Sequence, residues 1–102
     1  MNAVLALTPS ETATVRDILH RILPPGITVH VFGSRARGEP KPWSDLDLAL
    51  EGPGPLSLAL MAELAEAFDE SDLPWKVDLV DRVSVSDDFG QIIDAHKIAL
   101  SL

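Results

Sequence analysis

Phe32-Gly33-Ser34-Arg35-Ala36-Arg37-Gly38, and then Ser44-Asp45-Leu46-Asp47-Leu48, is the stretch on which the reading of this chain turns. The apolar run Ile27 to Phe32 reads as a buried strand that closes at Gly33-Ser34. A strand that breaks at Gly-Ser and turns toward a helix start presents backbone N–H groups, the positive end of a helix dipole and a hydroxyl. Such a turn suits an anion, and phosphate is the usual one. Asp45 and Asp47 open a second apolar run, Ser44 to Glu51. Residues two apart in a strand share a face, roughly 6.5–7 Å apart along the chain. Two carboxylates so placed ligate one hard cation or bridge two, and paired cations about 3.5–4 Å apart hold the attacking and leaving oxygens of a phosphoryl-type displacement. Magnesium suits the arrangement, because it takes few protein carboxylates and completes its shell with water and phosphate. A phosphate cradle followed by a metal clamp describes a site for a nucleoside triphosphate.

Working outward, Trp75-Lys76-Val77-Asp78-Leu79-Val80-Asp81 is a third strand. Asp78 stands among apolar residues, where a charge is costly unless paired or metal-bound. Beside the Asp45–Asp47 strand, it completes a three-carboxylate cluster. Asp81, at the strand end, is expected to cap or to face water.

Upstream, Thr8-Pro9-Ser10-Glu11 is a helix start, with Thr8 as N-cap, Pro9 in the first turn and Glu11 closing a capping box. Val15, Ile18, Leu19 and Ile22 follow at helical spacing, and Pro24-Pro25-Gly26 ends the helix. In the first strand Ile27, Val29 and Val31 face one way and Thr28, His30 and Phe32 the other. Ser34 to Gly38 is a short helical turn. Arg35 is read both as a phosphate contact and as a partner of carboxylates, and the second reading is preferred for Arg37. Glu39 to Trp43 is a loop fixed by Pro40 and Pro42, with Lys41 an exposed loop lysine. Gly52-Pro53-Gly54-Pro55 is a turn. Leu56 to Glu70 is a helix with Leu60, Met61, Leu64 and Phe68 on its buried stripe. Asp87 to Leu100 is the last helix, with Phe89, Ile92, Ile93, His96 and Leu100 on one side. His20, His30 and His96 are expected to be structural or solvent-facing rather than ligands.

Length and composition bound the remainder. The chain has 102 residues, 46% of them hydrophobic, enough for one domain spanning residues 1–102. Its net charge of −8 argues against nucleic acid as a partner, since phosphates need Lys and Arg to replace their counterions. It favours cations and basic protein surfaces. The absence of cysteine excludes disulfides and thiolate metal sites. No apolar run is long enough for a membrane span. Met1 to Leu7 lacks a basic region and a cleavage site, so a signal peptide is not expected and a cytoplasmic location fits. The expected architecture is α/β: a small three-stranded mixed sheet flanked by helices.

The string Gly-Ser-Arg-Ala-Arg-Gly followed by Ser-Asp-Leu-Asp-Leu resembles the signature of the polymerase-beta-type nucleotidyltransferases. It is similar in particular to the minimal nucleotidyltransferases, the antitoxin partners of HEPN-domain toxins. The resemblance implies the nucleotidyltransferase fold and transfer of AMP from ATP to a tyrosine hydroxyl of a HEPN ribonuclease toxin. It implies ATP and two Mg2+ ions, with Asp45, Asp47 and Asp78 as the catalytic metal ligands and Gly33, Ser34 and Arg35 holding phosphate. Two other functions compete: a non-catalytic antitoxin that masks its toxin, and nucleotidyl transfer to a small hydroxylated molecule. Trp43 is an unusually bulky residue for the loop before Asp45; stacking on a base and simple packing are both open to it.

Overall fold

A computed structural model describes residues 7–38 and 44–102. The order is α1 (Pro9–Ile22), β1 (Thr28–Phe32), β2 (Leu46–Glu51), α2 (Leu58–Asp69), β3 (Val77–Asp81), α3 (Asp87–His96) and β4 (Ile98–Ala99). The strands form one mixed sheet in the order β3-β2-β1-β4. β1 is antiparallel to both β2 and β4. β2 and β3 are parallel, joined by α2 as a crossover helix.

Local chemistry sets the helix ends. The Thr8 hydroxyl accepts from the Glu11 N–H at 3.1 Å, and the Glu11 carboxylate accepts from the Thr8 N–H at 3.0 Å, which is the expected capping box. α1 ends at Leu23, which is extended as a residue before proline prefers to be. Ser57 and Ser86 cap α2 and α3 by accepting from the N–H groups of Leu60 and Phe89. Ser57 is why α2 begins at Leu58 rather than at Leu56.

The alternation of each strand divides the core in two. Leu46, Leu48 and Leu50 join Val29 and Val31 in the larger cluster, under Val15, Ile18 and Leu19 of α1 and Leu64 and Phe68 of α2. Phe32 and Ala49 lie on the opposite face with Ile93, and Val80, Val85 and Phe89 pack against them. There the rings of Phe32 and Phe89 meet edge to face at 6.0 Å. Among the described residues no helix is long and apolar enough to cross a membrane.

Two sequence expectations need correction. The sheet has four strands, not three, and the last helix stops at His96 instead of running to Leu100. Lys97 turns extended, Ile98 pairs with Val31 and Ala99 with His30, and the Leu100 N–H donates to the Val29 carbonyl at 2.9 Å. The open edge of β1 draws these residues into the sheet, and Leu100 reaches the core as strand rather than as helix. With the shortened helix the apolar side is reduced: Phe89 and Ile93 pack inward, while Ile92 is 65% exposed and His96 is exposed. Lys41 and Trp43 lie outside the described residues.

Candidate active site

Sheet register gathers the acidic residues named from the sequence. Asp47 on β2 is the direct neighbour of Asp78 on β3 and, on its other side, of Phe32 on β1. Paired residues of adjacent strands have side chains on the same face, about 4.8 Å apart between strands. Asp47 and Asp78 therefore stand side by side on the face that α3 covers further along. Asp45 is half-buried just ahead of β2, two residues from Asp47.

The turn after β1 brings Gly33 onto the same spot. Gly33 has φ of +77°, and a β-carbon built on it would overlap the Asp47 carboxylate. The Ala36 and Arg37 N–H groups both donate to the Gly33 carbonyl at 3.1 Å, curling Ser34 to Gly38 into a tight turn. Ser34 is half-buried within it.

Electrostatics mark Asp47. Its carboxyl is pushed up from 3.8 to about 6, first by burial, then by the charges of Asp78 and Asp45, with Arg37 opposing. Three carboxylates around one partly desolvated position make an anionic, all-oxygen donor set. Among the described residues, however, no group of three or more His, Cys, Asp or Glu converges tightly enough to form a ready-made metal cage.

The two arginines differ sharply. Arg35 is 5% exposed. Its Nε and Nη2 both donate to the Ser44 carbonyl, at 3.1 and 2.8 Å, and its guanidinium carbon lies 4.3 Å from the centre of the Trp75 ring. It thus ties the turn to the approach of β2 and to the segment before β3. Arg37 is exposed, and its charge is felt at Asp47.

The sequence reading did not single out Lys76, whose ammonium lies 3.4 Å from Asp78. Its position two residues before Asp78, on the same strand face, was the available signal. Asp81 caps, as expected: it accepts from the Leu56 and Val83 N–H groups and from the Ser84 hydroxyl. His30 lies in β1, where burial, then Lys97, lowers its pKa. His20 and His96 sit in the last turns of α1 and α3.

Comparison with known proteins agrees with this geometry. The model of the nucleotidyltransferase domain family matches residues 13–100. The probable protein adenylyltransferase MntA of Haemophilus influenzae is 47% identical over 91 residues, 89% of this chain and 79% of that protein. A chain of a toxin–antitoxin complex crystallised with AMP-PNP superposes with a TM-score of 0.74 at 27% identity, over 88% of this chain and 72% of that one. A complex of a tri-AMPylated HEPN toxin with its MNT antitoxin, from Shewanella oneidensis, shares the fold with a TM-score of 0.66 at 24% identity, over 88% of this chain and 68% of that one. The match of the family model over most of the length, on a sheet that sets Asp47 beside Asp78 and against Gly33, shows that the chain belongs to the nucleotidyltransferase domain family, alongside MntA.

Proposed function

We propose that this protein is an antitoxin that transfers AMP from ATP to a tyrosine hydroxyl of a HEPN toxin and thereby silences it. The observation that carries the reading is the register of Asp47 with Asp78 beside the Gly33-Ser34 turn. The name of the MntA relative supplies protein adenylylation, and the AMP-PNP complex supplies the adenine nucleotide and the toxin–antitoxin setting.

The chain's residues divide the work. The backbone at Gly33 and the Ser34 hydroxyl receive the β- and γ-phosphates. Arg37, exposed beside Asp47, adds a positive charge at the mouth of the site. Arg35 holds the turn in place from within. Asp45, Asp47 and Asp78 fit Mg2+ by donor chemistry, and Asp47, held at about 6 by burial and its acidic neighbours, carries the electrostatic cost that a bound cation relieves. Magnesium, when bound, supplies charge neutralisation on the polyphosphate and lowers the barrier to attack at phosphorus. Asp78 orients the tyrosine hydroxyl and takes its proton as the oxygen forms its bond to the α-phosphorus. The bond from the α-phosphorus to the bridging oxygen breaks, and pyrophosphate leaves with the electron pair.

The test is incubation of the purified protein with α-labelled ATP, Mg2+ and the toxin. Wild type labels the toxin, and the double variant Asp45→Asn/Asp47→Asn does not. Equal labelling by both refutes the proposal. Coexpression separates catalysis from masking: a double variant that protects cells as well as wild type assigns neutralisation to binding.

A further inference from the structure

β3 is an edge strand of the sheet. On its inner side the Lys76 carbonyl accepts from the Leu46 N–H, and the Arg82 N–H donates to the Leu50 carbonyl, both at 2.9 Å. Hydrogen bonding alternates along a parallel pair, so the even-numbered residues turn their backbone groups toward β2. Val77 and Leu79 present theirs to the open edge. Edges of this kind accept an added strand.

A groove of about 540 Å³ runs along that edge, where Leu58, Met61, Ala62 and Ala65 of α2 face Val77 and Leu79. Leu58 is 88% exposed, although it belongs to the most apolar of the three helices. α2 runs antiparallel to β3, because its start is tied to the end of β3 by the bond from the Leu56 N–H to Asp81. The groove is therefore apolar at the Leu58 end, and at the other end it carries Asp69, Lys76 and Asp78, the last two ion-paired at 3.4 Å. Asp78 belongs both to this groove and to the acidic site. A residue on an added strand opposite Asp78 extends the row Phe32–Asp47–Asp78, with its side chain on the same face.

We propose that the β3 edge and the α2 groove bind an extended segment of the toxin as an additional strand. Its apolar side chains lie over Leu58 and Met61, a basic side chain lies over Asp69, and the acceptor tyrosine stands opposite Asp78. The occupant follows from charge and continuity: at that end the two carboxylates outnumber the one ammonium, on a chain of net charge −8, and the groove shares Asp78 with the proposed transfer site. The inference rests on the antitoxin reading for its partner, and binding, rather than transfer, tests it.

The experiment uses the full chain carrying Asp45→Asn/Asp47→Asn in complex with its HEPN toxin, with amide exchange followed residue by residue. The Val77 and Leu79 N–H groups are expected to exchange at least about tenfold more slowly in the complex than in the free protein. The exposed-site variants Leu58→Asp and Ala65→Lys, each checked for unaltered ATP binding, are expected to weaken toxin binding by at least about tenfold. Protection at the β4 edge or on α1 in place of β3 overturns the proposal, as does undiminished binding by both variants or the absence of any complex. If β3 is protected but the wild type transfers no AMP, the docking stands and the proposed activity falls.

Discussion

The carboxylate of Asp47 occupies the space that a β-carbon at Gly33 would fill. Gly33 follows β1 and Asp47 belongs to β2, and their contact welds the Gly33-Ser34 turn to the acidic row. Gly33→Ala meets two costs at once, a side chain at φ of +77° and a collision with Asp47. Backbone strain of this kind costs on the order of 1–3 kcal/mol. The expected outcome is a folded but less stable protein, with AMP transfer reduced far more than that loss of stability explains. Circular dichroism melts and transfer rates on the same sample measure both quantities; a variant with full activity contradicts the contact.

Asp47 also gives the metal-free protein a pH dependence. Its folded-state value of about 6 lies above the ordinary 3.8. An acid raised in this way opposes folding while ionised: the cost is full above the folded value, fades as the pH falls through it and vanishes below the ordinary value. In the presence of a chelator, this contribution stabilises the protein as the pH is lowered from about 7 to about 5. Asp47→Asn abolishes that component and melts above wild type at neutral pH. Because the side chain is half-exposed, the gain is on the order of 1 kcal/mol, a few degrees of Tm. Mg2+ is expected to raise the melting temperature of wild type and to have little effect on the variant. A chelated variant less stable than wild type at neutral pH contradicts this account.

Arg35 and Arg37 are expected to fail in different assays. Arg35→Ala removes a buried guanidinium from the Ser44 carbonyl and the Trp75 ring. The loss is about 2–3 kcal/mol, since a half-buried acceptor is left with a poorer set of donors and an aromatic contact is lost. Arg37→Ala, at an exposed position, leaves the stability within about 0.5 kcal/mol of wild type and raises the KM for ATP. Chemical denaturation and ATP titration of the two variants separate the roles. An Arg35 variant of unchanged stability but raised KM reverses the assignment.

Much of this site was legible in the chain itself, because its residues announce themselves locally. Gly33-Ser34 ends an apolar run, Asp45 and Asp47 are two apart, and Asp78 is a charge inside a strand. Where those strands lie was not local information. The parallel register that sets Asp47 beside Asp78 depends on α2 crossing over the sheet. The inward turn of Arg35 depends on Trp75, forty residues away in the chain. β4 escaped notice for a different reason. Two residues are too few to show alternation, and Leu100, four residues after His96, continues the spacing of α3 well enough to read as its last turn.

The far end of β3 supplies a test of how firmly α3 is held. Arg82 bonds Asp94 through both nitrogens, Nε to Oδ1 at 3.2 Å and Nη2 to Oδ2 at 2.8 Å, and Lys97 adds a third contact at 3.0 Å. The paired cations hold Asp94 well below the usual carboxylate range. The Arg82 guanidinium crosses α3 directly over Gly90, where a β-carbon would lie 2.7 Å from it. The obstacle is the end of a flexible side chain, so Gly90→Ala pushes the guanidinium aside instead of distorting the helix. Replacing glycine with alanine in a helix interior gains about 0.8–1.0 kcal/mol. Solvent screens the Arg82–Asp94 pair, and displacing it offsets most of that gain. Gly90→Ala is expected to change stability by less than about 0.5 kcal/mol and to lessen the dependence of stability on salt, because the screened pair is broken. In an Arg82→Ala background the same substitution gains nearly the full helical increment. A double-mutant cycle by urea denaturation measures this difference, and additive effects of the two substitutions rule out the contact.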